Sequence, residues 1–224
     1  MDIFNTALDT PWKIIPEILQ ILVSYYAGFI LRLNGIGIGQ HAKFYGLPKI
    51  QKHRQSEIII GDNFENRNWW DSNPLGINHP LILTTWAANA RIVIGNDVGI
   101  SGGSICAAAG IQIGDGTIIG ANCTIIDTDF HPLKSENRRY SRQNIRTVPV
   151  LIGKNVFIGT GCIILKGAII PDNTIVPAGS VIATRNTPAV KPRDGASYIG
   201  RSPTERKDPD RKVVGTFIRS TSNK

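Results

Sequence analysis

From Gly35 onward, aliphatic residues recur every sixth position. This is neither the 3.6-residue period of a helix nor the simple alternation of a strand. The phase is clearest at Ile152, Ile158, Ile164, Ile170, Val176 and Ile182. Four residues after the first five of these, the side chain is small or β-branched: Val156, Cys162, Ala168, Thr174 and Ser180. The same phase holds at Ile113, Ile119 and Ile125 with Thr117 and Cys123, and at Ile94 and Ile100 with Val98 and Ser104. Ile60-Gly61-Asp62-Asn63 is an earlier fragment. A short strand followed by a tight turn explains the period. Turn-forming Asn, Asp and Gly stand where the chain must bend, as in Gly95-Asn96-Asp97, Gly114-Asp115-Gly116 and Pro171-Asp172-Asn173. The aliphatic residue points inward onto its copies in adjacent coils, and the small residue fits the corner. One such coil cannot bury its own core, so stability must come from stacking. The prediction is an all-β fold, a triangular left-handed parallel β-helix, against the right-handed rule that governs most parallel crossovers.

Other segments break the rhythm. Ile14 to Leu33 is mostly apolar and Ile18 to Leu31 carries no charge. With Pro16 near its start and Gly35 past its end, it predicts a helix. Its uncharged stretch is short for a membrane span. Burial against the body of the protein or a neighbouring subunit, contact with a membrane face, and a true span are all open. Gly35-Ile36-Gly37-Ile38-Gly39 has no amphipathic helix behind it and fails as a dinucleotide loop. Ile100 and Ile113 are 13 apart, two repeats plus one residue. Ile125 and Ile152 are 27 apart and enclose a charged run from Lys134 to Arg146, which predicts a loop leaving the prism. After Thr187 the rhythm stops. The expected organisation is an N-terminal apolar helix (1–34), a β-helix domain (35–187) with an active-site loop (127–147), and a basic tail (188–224).

Composition changes the picture modestly. The formal net charge of +8 favours an anionic partner. With few aromatics and no nucleic-acid-binding motif, nucleic acid is not expected. The three cysteines contain no C-x-x-C pair, so they read as reduced core thiols. No signal-peptide pattern is seen, and a cytoplasmic location is expected, with the inner membrane face as a further place of contact.

Three stretches are more specific than the period: Val98-Gly-Ile-Ser-Gly, Ile125-Ile-Asp-Thr-Asp-Phe-His-Pro-Leu, and Val150-Leu-Ile-Gly-Lys-Asn-Val-Phe-Ile-Gly. With these the chain resembles the hexapeptide-repeat acyltransferases, and among them the bacterial sugar O-acetyltransferases similar to maltose and galactoside acetyltransferases. The resemblance implies a homotrimer with active sites between prisms. It also implies direct transfer from acetyl-CoA to a carbohydrate hydroxyl, with no metal. His131, the histidine of the matching loop motif, takes the role of general base. A neutral imidazole in reach of a hydroxyl supplies roughly 10²- to 10⁴-fold. Asp127 or Asp129 would orient the ring. Ser101 falls where the family places an acceptor-binding Asn, a departure, and Asn78 and His79 are further acceptor candidates. For CoA the resemblance points to Thr160, Ala178 and the pair Thr184-Arg185, with Lys166, Arg185, Arg201 and Arg206 toward the phosphates.

Other readings are an acetyltransferase for serine or a nucleotide amino sugar, and a non-catalytic hexapeptide scaffold. A zinc enzyme of the same fold needs three histidines on facing coils. His41, His53, His79 and His131 do not share a repeat phase.

Overall fold

In a computed structural model the chain is described over residues 9–183. A 3₁₀ turn (Pro11–Lys13) leads into helix α1 (Ile14–Leu33). The described strands, from Gly37–Ile38 to Val181–Ile182, form three parallel sheets of six. Each strand pairs with the strand three places further along the chain. Six coils therefore stack into a three-faced prism, the left-handed parallel β-helix, in which each coil contributes one strand to the first, second and third sheet in turn.

The core consists of inward columns. On the first sheet Ile60, Ile94, Ile113, Ile152 and Ile170 lie in register. On the third, Leu83, Ile105, Ile125, Ile164 and Ile182 do the same. All are buried, and full burial of an aliphatic side chain is worth roughly 1.5–3 kcal/mol.

The edge between the first and second sheets shows why Asn, Asp and Gly recur. His41, Asn63, Asp97, Gly116, Asn155 and Asn173 all take positive φ there. Their neighbours form a ladder: Asp115 Oδ1 accepts from the Asn96 amide at 3.0 Å, and Asn155 Nδ2 donates to Asn173 Oδ1 at 2.8 Å. Coils approach so closely that a Cβ on Gly114 would lie 2.6 Å from the Gly153 carbonyl carbon.

The third coil departs from the expected phase. Ile105, rather than a residue six after Ile100, fills the inward position, and Ser104 points outward instead of into the corner. The edge between the second and third sheets is one residue short there, and Gly102-Gly103 with positive φ make the tighter bend. The next edge is two residues longer than a regular repeat, with Ile105 and Ile113 eight apart, which restores the 13-residue interval.

Cys123 and Cys162 are buried, their thiols directed at the Gly159 and Pro177 carbonyls, each at 3.1 Å. Burial pushes the Cys123 thiol up to about 12 and raises that of Cys162. A raised acid favours folding below its unfolded value and loses that contribution as pH climbs toward the folded one. Folding stability should therefore fall above about pH 9, by roughly 1 kcal/mol per pH unit from Cys123. Denaturant midpoints at neutral pH and at pH 10 measure this. The loss should be smaller in Cys123→Ala, and an equal loss in that variant would contradict the assignment.

Candidate active site

The charged run 134–146 leaves the prism at the edge between the third and first sheets. Its neck is a minimal antiparallel pairing: Thr128 bridges Thr147, with their hydroxyls 3.0 Å apart. The Val148 amide donates to the Asp127 carbonyl at 2.9 Å and the Asp129 amide to the Arg146 carbonyl at 3.1 Å. Beneath the neck the Asp127 carboxylate is fully buried. It accepts the backbone amides of Ala108, Ala109 and Gly110 at 2.7, 2.8 and 2.7 Å. Asp127 therefore fastens the loop to the preceding coil, and its side chain is taken up by main chain rather than offered to an imidazole.

Immediately after the neck the backbone makes a tight turn. The His131 amide donates to the Asp129 carbonyl at 2.7 Å across Phe130, whose φ is 59°. A three-residue turn with positive φ at its centre is rare, and a bulky residue held there costs roughly 1–3 kcal/mol. Tertiary contacts hold it. The Phe130 ring packs edge-on against Trp86 with centroids 6.0 Å apart. The Lys166 ammonium pairs with Asp129 Oδ1. The turn throws the His131 side chain outward, exposed, and its imidazole makes no hydrogen bond among the described residues. Asp129 Oδ2 is buried without a partner. A buried carboxylate oxygen is costly to leave unsatisfied and marks a network awaiting a donor. Arg138 holds the next stretch by donating to the carbonyls of Pro132, Leu133 and Lys134. It ties the loop to itself and makes no salt link to Asp127 or Asp129.

A second insertion, residues 68–81, leaves the prism at a different edge, between the second and third sheets. Asn122 holds it from two coils away. Its side-chain oxygen accepts the Asn78 amide at 2.8 Å and its nitrogen donates to the Gly76 carbonyl at 3.0 Å. Asn73 donates to the Ser101 hydroxyl at 3.1 Å. The insertion lies so close that a Cβ on Gly102 would sit 2.6 Å from Ile77. Further along the same edge, the Thr160 hydroxyl donates to the Ala121 carbonyl at 2.7 Å and the Thr160 backbone carbonyl accepts the Gly179 amide at 2.8 Å. Gly161, Ala178 and Gly179 form an exposed strip there without long side chains.

Residues 149–184 match the family model described as bacterial transferase hexapeptide (six repeats). The matched stretch holds the last two coils, with strands from Val150–Ile152 to Val181–Ile182. Among solved structures, the chain is similar to a maltose O-acetyltransferase from Clostridium difficile 630. The identity is 22% and the TM-score 0.31, over 67% of this chain and 58% of that one. The match thus spans less than two thirds of that protein's length. No curated protein sequence matches significantly.

The hexapeptide prism sorts the expected site residues onto two edges. Ser101, Asn78 and His79 come together at the edge between the second and third sheets, with Thr160 and Ala178 further along it. His79 is half-buried, its ring nitrogen 2.9 Å from the Pro80 carbonyl. His131, Asp127, Asp129 and Lys166 share the other edge, so Lys166 stands under the loop that carries His131 and engages a carboxylate. Within one chain the third sheet separates the groups. Thr184, Arg185, Arg201 and Arg206 lie outside the described residues. No three His, Cys, Asp or Glu side chains cluster as a metal site among the described residues.

Sequence reasoning missed Trp86, Asn122 and the engagement of Lys166 with Asp129. Asn122 stands where other coils use Gly at this corner, and that substitution is the one sequence signal that singled it out. Nothing along the chain links Trp86 to Phe130.

Proposed function

We propose that the protein is an acetyl-CoA-dependent O-acetyltransferase acting on a sugar hydroxyl, with His131 as general base. The observation that carries the reading is the strained turn at Phe130, which presents an imidazole that bonds to no described residue, two positions after a carboxylate with an unpartnered oxygen. Strain of this kind persists at sites where position matters. The acceptor hydroxyl loses its proton to His131 as its oxygen bonds to the thioester carbonyl carbon. The carbon–sulfur bond then breaks, and CoA leaves as the thiolate, which takes the proton back from the His131 imidazolium. Asp129 Oδ2 is the group to accept the other imidazole N–H and stabilise the imidazolium. Trp86, 57% exposed next to the loop, offers an aromatic face to a pyranose, which favours a sugar over a smaller acceptor. The glycan of a bacterial cell surface, or its precursor, is the acceptor class proposed.

The reading includes a homotrimer. Exposed apolar columns run down the outer faces of two sheets: Ile118, Phe157 and Ile175 on the second, Leu151 and Ile169 on the first. Packing the first sheet of one protomer on the second sheet of the next buries both columns. It also brings the His131 edge of one chain to the Asn122–Ala178 edge of its neighbour. The pieces separated by the third sheet then face one another across a subunit boundary, with acetyl-CoA along the exposed strip at Gly161 and Gly179.

Purified protein with acetyl-CoA and panels of sugars, serine and nucleotide amino sugars tests the chemistry by thiol release. Release with sugars is expected. Release only with serine or amino sugars would reassign the acceptor, and none with any acceptor would leave a scaffold. Mixing tests the shared site. His131→Ala and Ala178→Trp should each be inactive alone, and co-refolded trimers should regain about a quarter of wild-type activity through random assortment. No recovery would place the site within one chain.

A further inference from the structure

The packing of α1 inverts the usual arrangement of a surface helix. The side facing the prism is formed by Gln20, Ser24, Ala27, Gly28 and Leu31. Directly opposite, Ile15, Ile18, Leu22, Phe29 and Leu33 form a ridge, each more than half exposed, flanked by Tyr25 and Tyr26. The inner face carries polar side chains among its small and apolar ones for a reason. The first coil ends the stack, and its backbone needs partners. The Ser24 hydroxyl accepts the Phe44 amide at 2.8 Å, and Glu17 accepts the Tyr45 hydroxyl at 2.8 and 2.9 Å. Those requirements turn the large apolar residues outward. Pro11–Leu33 is long and apolar enough to cross a membrane, but Ala27 and Leu31 belong to the prism core. A helix packed in this way lies beside a bilayer rather than through it.

Along this helix runs a groove of about 380 Å³ between α1 and the first coil. Arg32, His41 and Lys43 line it together with Gln20, Gln40 and Tyr25, and no acidic side chain does. Of the nearby carboxylates, Asp62 accepts the Gln40 amide beside the groove and Glu17 accepts the Tyr45 hydroxyl. Lys13 and Trp12 stand exposed at the other end of the helix. An apolar ridge, aromatic flanks and adjacent cations are the composition of a helix that lies in a membrane interface. Cations at such a surface are drawn to anionic lipid.

We propose that the outer face of α1 docks on an anionic phospholipid leaflet, with the ridge from Ile15 to Leu33 in the acyl layer and the Arg32–Lys43 groove against lipid phosphates. The Arg32, His41 and Lys43 lining, with no acidic side chain in it, favours lipid phosphate over a second copy of the same basic surface. In a trimer, three such helices would add by avidity. The proposal does not depend on acetyl transfer.

Co-sedimentation of the full chain with vesicles tests it. The protein should pellet with vesicles of phosphatidylglycerol and phosphatidylcholine in equal parts at low salt, and several-fold less with phosphatidylcholine alone or at high salt. The exposed-ridge variant Ile18→Glu/Leu22→Glu should reduce binding by at least ~10-fold with an unchanged circular dichroism spectrum and assembled mass. Arg32→Gln/Lys43→Gln should remove the preference for the anionic vesicles. Wild-type protein that stays in the supernatant with anionic vesicles at low salt overturns the proposal. So does a ridge variant that lowers the assembled mass, which would make the ridge a contact between copies.

Discussion

His131→Ala lowers turnover by roughly 10²-fold or more while assembly and CoA binding persist. The expectation rests on where the side chain stands. Its imidazole is exposed on the loop and bonds to no described residue, so truncation removes no packing and leaves no partner stranded. The loss should therefore appear in kcat and not in unfolding. Steady-state kinetics, with CoA titration and sedimentation of the same preparation, make the comparison. Near-normal turnover in a folded variant would sink the assignment. His131→Gln keeps hydrogen-bonding capacity but cannot take up a proton near neutral pH, and it should fail to the same degree.

The second large effect belongs to the pair beneath the loop. Lys166→Met leaves Asp129 with neither oxygen engaged by that ammonium, in a site where both side chains are only about one fifth exposed. Breaking a pair of this kind costs more than an exposed salt bridge and less than a fully buried one, on the order of 1–3 kcal/mol. The cost should fall on the neck of the loop, because Asp129 also supplies the carbonyl that closes the turn at Phe130. Turnover should drop roughly 10-fold or more with the KM for acetyl-CoA unchanged. A Lys that met CoA phosphates would give the opposite split, a raised KM with turnover kept. Asp129→Asn should resemble Lys166→Met, and the double variant should be little worse than either, because the two act through one contact.

Much of this was legible along the chain, for a physical reason. In a prism of stacked coils each inward residue packs on its counterparts in the coils above and below, so the same local demand repeats every sixth position. That demand writes the period, the small corner residues and the Asn, Asp and Gly turns into the sequence. The loop at 127–147 was legible because Lys134 to Arg146 cannot enter such a core. The first two coils were nearly illegible. Longer connections between the third and first sheets, at 53–56 and 86–90, and the insertion at 68–81 break the phase while leaving the inward residues Phe44, Ile58, Leu83 and Ile92 buried.

The sequence by itself determined the coil, the stacking residues and the loop that carries His131, because each is set by contacts between equivalent positions of one repeat. Only the tertiary structure decided which edge each site residue occupies, since an edge depends on counting insertions through the whole winding. It separated Asp127 from Asp129, two residues apart, because the first meets three amides of the preceding coil and the second meets Lys166, 37 positions away. It also decided the helix. A segment apolar through its centre does not announce which side it buries. The backbone amide of Phe44 and the hydroxyl of Tyr45 on the first coil settle it, by engaging Ser24 and Glu17 and leaving the large aliphatic side chains outside.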